Sequence, residues 1–212
     1  MNRAPEPVSA RRLRIQDPLL IRPETAFSMS DRERRWEMEK KGLVQIYTGE
    51  GKGKTTASLG QAFRAFGRGW RVRMIQFMKA PDSSGEHFAV KELGDNFRII
   101  PVGRKGFIYN KKPSEKDIEL AQGGLNLARE ALADERVDLV ILDEIDVALS
   151  FGLISEEDVL GLMEDKRESI ELIMTGRNAL PSLMEKADLV TEMRMVKHPY
   201  RNGVLAREGI EY

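Results

Sequence analysis

A short apolar run, Leu43 to Tyr47, leads into Thr48-Gly49-Glu50-Gly51-Lys52-Gly53-Lys54-Thr55-Thr56, and a helical pattern follows from Ala57 to Phe66. Strand, glycine loop and helix in this order form the context of a phosphate-binding loop, and few folds accommodate it. Gly49, Gly51 and Gly53 let the backbone curl so that successive N–H groups point inward at an anion. The helix that follows adds the positive end of its dipole. Lys54 supplies a mobile charge for phosphate oxygens, and Thr55 places a hydroxyl where Mg²⁺ is bound. The pattern departs from the usual Walker A motif at one position, where Thr48 stands in place of the first glycine.

The rest of the chain alternates strands with helices. Val72 to Phe77 reads as a second strand, Phe97 to Val102 as a third, Val137 to Glu144 as a fourth, Ser169 to Met174 as a fifth and Asp188 to Met195 as a sixth. Between them the spacing predicts helices at Ser84–Leu93, Ser114–Leu132 and Ser155–Glu164, the second opened by the capping-box variant Ser114-Glu115-Lys116-Asp117. Such alternation implies a mostly parallel sheet covered on both faces. With the phosphate loop after the first strand, the expected fold is α/β, a RecA-like P-loop domain over residues 43–212. Before it, residues 1–28 read as a flexible tail, broken by Pro5, Pro7, Pro18 and Pro23. Residues 29–42 read as a charged helix capped by Ser30 and Glu33. From Ser30 to Lys41, Trp36 and Met38 are the only large apolar side chains, so the helix is either loosely docked or a lid.

Several residues gather where ligands bind in open α/β sheets, at the carboxyl ends of the strands. Gln76, Lys79 and the turn Ala80-Pro81-Asp82 end the second strand. The fourth ends in Asp143-Glu144, an apolar run delivering carboxylates to Mg²⁺ or a strand end with solvated acids. Paired with the loop, these acids are the expected second half of an ATP–Mg²⁺ site. Arg177 follows the fifth strand within reach of phosphate. Phe107 and Tyr109 lie in a glycine- and lysine-flanked loop, either as core packing or as contacts to a ligand.

Basic and acidic residues number 34 each, so no net positive field advertises nucleic acid. Cysteine is absent, which excludes disulfides, thiolate metal sites and a cysteine nucleophile. No apolar run approaches the ~20 residues of a membrane span, and a cytoplasmic protein without membrane or nucleic-acid partners is expected.

The chain resembles the ATP:corrinoid adenosyltransferases of the P-loop type from about residue 30 to Tyr212. The motifs that carry the resemblance are the loop at 48–56, in which threonine at the first Walker position is the family's own habit, Val-Arg-Met-Ile-Gln-Phe-Met-Lys at 72–79, Gly106-Phe107 with an aromatic at 109, Leu142-Asp143-Glu144, Thr175-Gly176-Arg177, Lys197-His198-Pro199 and Gly209-Ile210-Glu211-Tyr212. Their order and spacing together are specific.

The resemblance implies transfer of the 5′-deoxyadenosyl group of ATP to the cobalt(I) of a reduced corrinoid, cobalamin or a cobyrinic acid derivative, with release of triphosphate. It implies a nucleotide site at Thr48, Gly49, Glu50, Gly51, Lys52, Gly53, Lys54, Thr55, Thr56, Arg177 and His198. Within it Lys54, Glu144 and Arg177 act in catalysis, and Thr55, Asp143 and Glu144 hold Mg²⁺, with Mn²⁺ as a substitute. Phe107 and Tyr109 match an aromatic pair that crowds the lower face of the corrinoid, where tryptophan is frequent at the second position. The helix at 29–42 matches a segment that folds over the corrinoid. A homodimer and an electron-donating flavoprotein reductase are the implied partners. The alternative from the residues alone is a P-loop ATPase or nucleotide-gated binding module that releases phosphate, distinguished by its product.

Overall fold

The structure is a computed structural model that describes residues 41–105 and 112–212. The expected tail at 1–28, all but the last two residues of the expected helix at 29–42, and Phe107 with Tyr109 lie outside the described residues.

The strands are β1 (Val44–Thr48), β2 (Val72–Phe77), β3 (Phe97–Val102), β4 (Leu139–Asp143), β5 (Glu171–Thr175) and β6 (Leu189–Glu192). The helices are α1 (Lys54–Phe66), α2 (Gly85–Ala89), α3 (Glu115–Ala133), α4 (Ile145–Ser150), α5 (Glu156–Asp165) and α6 (Pro181–Lys186), with short 3-10 turns at Val90–Glu92 and Pro199–Asn202. One six-stranded sheet has the order β3-β2-β4-β5-β1-β6, and every pairing is parallel. β5 is thus inserted between the strand that enters the phosphate loop and the strand that ends in Asp143. This is the RecA-like arrangement.

Continuous apolar runs build the inner strands, because both of their faces are covered. Along β4, Leu139 and Ile141 pack with Ala62 and Ala65 of α1 and with Met74. Val140 and Leu142 face the other way, toward Leu125 and Ala128 of α3. All four β4 residues are fully buried, and each such side chain contributes about 1.5–3 kcal/mol relative to exposure. α3 opens with the expected capping box, in which the Ser114 hydroxyl accepts from Asp117 N–H and the Asp117 carboxylate accepts from Ser114 N–H. α5 repeats the device with Ser155 and Asp158.

Four elements differ from the sequence expectation. The segment 84–93 splits into α2 and a 3-10 turn. β6 ends at Glu192 rather than Met195, because the Met193 backbone turns toward the phosphate loop: its N–H donates to Thr48 O at 2.8 Å and its carbonyl accepts from Gly51 N–H at 2.6 Å. The helices α4 and α6 were not expected, and at 6 residues each they are too short for an apolar period to repeat.

Candidate active site

All parallel strands end on the same edge, and that edge collects the polar residues. β1 runs into the loop, where Gly49 has φ +95° and Gly53 φ +120°, conformations that L side chains rarely adopt. Gly51 is needed for a different reason, since a β-carbon there would lie 2.6 Å from the Met193 carbonyl oxygen. The segment after β6 therefore braces the loop from outside. Lys54 opens α1, and its Nζ donates to the carbonyls of Gly49 at 2.6 Å and Gly51 at 2.8 Å. Burial lowers the Lys54 pKa, with the Glu144 carboxylate opposing the shift.

Asp143, at the end of β4, is wholly buried. Its Oδ1 accepts from the hydroxyls of Thr55 at 2.8 Å and Thr175 at 2.7 Å. Its Oδ2 accepts from Gln76 Nε2 at 3.1 Å and is paired with Lys79 Nζ at 3.0 Å. Donation of the Thr55 hydroxyl proton to Asp143 leaves the Thr55 oxygen lone pairs free for a cation. Gln76 extends the network, since its Nε2 also donates to Glu86 Oε1 at 3.1 Å. His87 Nδ1 accepts from Ser83 N–H at 3.2 Å, so Nε2 carries the proton and donates to Gln76 Oε1 at 2.6 Å. Burial lowers the His87 pKa and favours this neutral form.

The next residue, Glu144, sits at φ +60° and donates its N–H to the Thr175 hydroxyl at 3.0 Å. Burial, reinforced by the neighbouring Asp143 charge, raises the Glu144 pKa. A carboxylate in this state gains from a cation. Among the described residues no group of three or more His, Cys, Asp or Glu side chains is arranged to hold a metal. Hard oxygen donors limited to one hydroxyl and one or two carboxylates fit Mg²⁺, which takes its remaining ligands from water and substrate phosphates.

In the first turn of α4, Asp146 is 1% exposed, and neither carboxylate oxygen has a hydrogen-bond partner among the described residues. Burial, with a smaller push from Glu144, raises its pKa from 3.8 to about 7. A carboxyl whose folded pKa is raised holds its proton more tightly when folded, so its contribution to stability is full below the unfolded pKa and is lost as pH rises toward 7. Asp146→Asn removes this dependence. In chelator without nucleotide, the variant gains stability over the parent by about 1 kcal/mol or more at pH 8 relative to pH 4. Urea midpoints at the two pH values measure it, and an equal difference at both would refute the assignment.

Two cavities meet at this edge. The larger, about 560 Å³, is lined by loop residues Glu50 to Thr56, by Lys79, Glu86, Glu144, Arg177 and His198, and by the closing Gly209–Tyr212 segment. The other, about 220 Å³, is mostly apolar, with Phe77, Met78, Val102, Leu120, Val147 and Phe151 in its wall. Lys79, Glu144 and Arg177 line both.

The structure therefore brings Glu50, Lys52, Lys54, Thr55, Thr56, Glu144, Arg177 and His198 to one cavity. Arg177 pairs with Glu50 at 3.2 Å, Lys52 donates to Ile210 O at 3.2 Å, and His198 Nδ1 accepts from Tyr200 N–H at 3.2 Å. Thr48 is not in the cavity wall: its buried hydroxyl accepts from Ala179 N–H at 3.2 Å. Asp143 stands behind the wall and acts through Thr55 and Lys79. Sequence reasoning missed Glu86, His87 and Asp146. The first two lie on a helix whose approach to Gln76 is purely tertiary. The only signal for Asp146 was an acidic residue inside a run of otherwise apolar positions.

A phosphate loop closed by Lys54 and Thr55, an acid-tipped β4 and an inserted β5 define a RecA-like P-loop nucleotide-binding domain. The sequence profile of the ATP:corrinoid adenosyltransferases BtuR/CobO/CobP matches residues 40–212. A corrinoid adenosyltransferase from a Sinorhizobium species is 38% identical over 176 residues, 82% of each chain. One from Pseudomonas aeruginosa is 31% identical over the full length of both chains, and one from Escherichia coli K12 is 33% identical over 82% of this chain and 87% of its own. The chain belongs to the ATP:corrinoid adenosyltransferase family. It is an ATP-dependent transferase whose substrates are ATP and a corrinoid. No helix among the described residues is long and apolar enough to cross a membrane.

Proposed function

We propose that the chain transfers the 5′-deoxyadenosyl group of ATP to the cobalt(I) of a reduced cobalamin or cobyrinic acid derivative, with the triphosphate held at the loop and the corrinoid edge in the apolar cavity. The observation that carries this reading is the meeting of a polar, loop-lined cavity with an apolar one across Lys79, Glu144 and Arg177. A reaction that joins a nucleotide carbon to a large, mostly apolar partner needs two such compartments and a shared wall.

Cobalt(I) is itself the nucleophile, so the protein needs neither a nucleophilic side chain nor a general base. Its work is to orient the reacting atoms, exclude water and stabilise the leaving group. Lys54 and the loop N–H groups bind phosphate oxygens, and Arg177 adds a forked donor. Thr55 and Glu144 would hold Mg²⁺, with Asp143 orienting the Thr55 hydroxyl; the ion would neutralise phosphate charge. His198 closes the nucleotide cavity. Phe107 and Tyr109 crowd the lower corrinoid face and favour reduction of cobalt(II). A homodimer is the working form, and a cytoplasmic flavoprotein reductase delivers the electron.

The test is incubation with ATP, Mg²⁺ and chemically reduced cobalamin under anaerobic conditions. A light-sensitive adenosyl-corrinoid spectrum with equimolar triphosphate is expected. ADP and phosphate with unaltered corrinoid would overturn the reading in favour of an ATPase.

A further inference from the structure

At the end of β2, Met78 is held at φ +61°, a strained conformation for a side chain of its size. Across from it, a β-carbon on Gly103 would lie 2.5 Å from the Met78 carbonyl carbon and 2.6 Å from Lys79 N. A strained turn and a glycine pressed against it have one visible consequence, the placement of Lys79. Its ammonium is fixed from behind by Asp143 at 3.0 Å, with Glu86 at 3.5 Å, and the residue lines both cavities. Lys54, by contrast, lines only the nucleotide cavity and is turned to the loop carbonyls. Arg177 lines both, but its side chain is half exposed and pairs with Glu50 of the loop. Lys79 is therefore the partly buried cation on the shared wall that is fixed by a buried carboxylate.

Resting on the function proposed above, we infer that Lys79 is a catalytic residue that stabilises the departing 5′ oxygen of the triphosphate. In the transfer the cobalt(I) electron pair forms the cobalt–carbon bond to C5′, and the C5′–O5′ bond breaks. Its electron pair stays on O5′, which becomes a terminal oxygen of the released triphosphate, while cobalt becomes formally cobalt(III). No proton moves, and one unit of negative charge develops on O5′. That atom lies where the two compartments meet, because its carbon joins the corrinoid and its phosphorus belongs to the loop. A cation preorganised there interacts more strongly with the transition state than with bound ATP.

The experiment compares ATP with its analogue bearing sulfur in place of the bridging 5′ oxygen, a leaving atom that tolerates charge without help. Both are assayed with chemically prepared cobalt(I) cobalamin. Lys79→Gln is expected to lower kcat with ATP by about 100-fold or more while KM for ATP changes by less than about threefold. With the sulfur analogue the loss is expected to shrink below about tenfold, and Lys79→Arg is expected to recover part of the ATP rate. Equal losses with both donors, or a raised KM with kcat preserved, would overturn the role and leave Lys79 as a structural partner of Asp143. Absence of transfer by the unsubstituted protein would instead overturn the proposed function itself.

Discussion

Lys54→Ala loses adenosyl transfer by about 100-fold or more at saturating ATP and Mg²⁺, while its folded spectrum is unchanged. The rate loss follows from the position of the ammonium at the root of α1, inside the cavity that the loop encloses. Stability depends less on the group, because among the described residues its hydrogen bonds go to two carbonyls, those of Gly49 and Gly51. Losing two such hydrogen bonds costs on the order of 1–3 kcal/mol. Steady-state kinetics beside a thermal melt separate the two effects. Near-parental turnover in the variant would remove Lys54 from the catalytic assignment.

Asp143→Ala affects the fold more than any other single change at this site. It leaves the Thr55 and Thr175 hydroxyls, the Gln76 amide and the Lys79 ammonium without the acceptor they share. Removing one partner of a buried ion pair costs ~3–5 kcal/mol. Lys79 keeps 24% side-chain exposure and a second carboxylate at Glu86, so the lower end of that range applies. For a domain of this size about 3 kcal/mol corresponds to a melting temperature lower by roughly 6–12 °C. Transfer is also lost, because Thr55 and Lys79 are no longer oriented. Asp143→Asn keeps an acceptor for the two hydroxyls but turns an amide donor toward Gln76 and Lys79. Its melt should fall less than that of the alanine variant while its activity stays low. Calorimetry on both variants decides this, and equal melting temperatures for Asp143→Ala and the parent would contradict the shared-acceptor role.

Much of the architecture was already legible as local chemistry. A phosphate loop is a contiguous device: Gly49, Gly51, Gly53, Lys54 and Thr55 meet through adjacent backbone, so their spacing is their geometry. Long elements are legible for a similar reason. Over the 19 residues of α3 a helical period repeats several times, and Ser114 with Asp117 marks its start. The apolar run of β4 announces a strand buried on both faces, and its two terminal acids announce a site.

What the sequence left open depends on contacts between distant segments. Gly51 reads as a flexible loop residue, yet its requirement comes from the Met193 carbonyl lying 2.6 Å from where a side chain would begin. Thr48 reads as a ligand-facing member of the loop, but its hydroxyl is taken by Ala179 N–H. Lys79 reads as one polar residue at a strand end. Only the placement of β2 beside β4, with Gln76 opposite Asp143 in the register, turns it into an ion-paired cation on the wall between two cavities. The chain's own order thus determined that it binds a nucleoside triphosphate in a RecA-like domain, because those signals are local. Tertiary structure alone decided which side chains share Asp143 and where the two cavities meet, because buried charges acquire partners only when separate strands are brought to one edge.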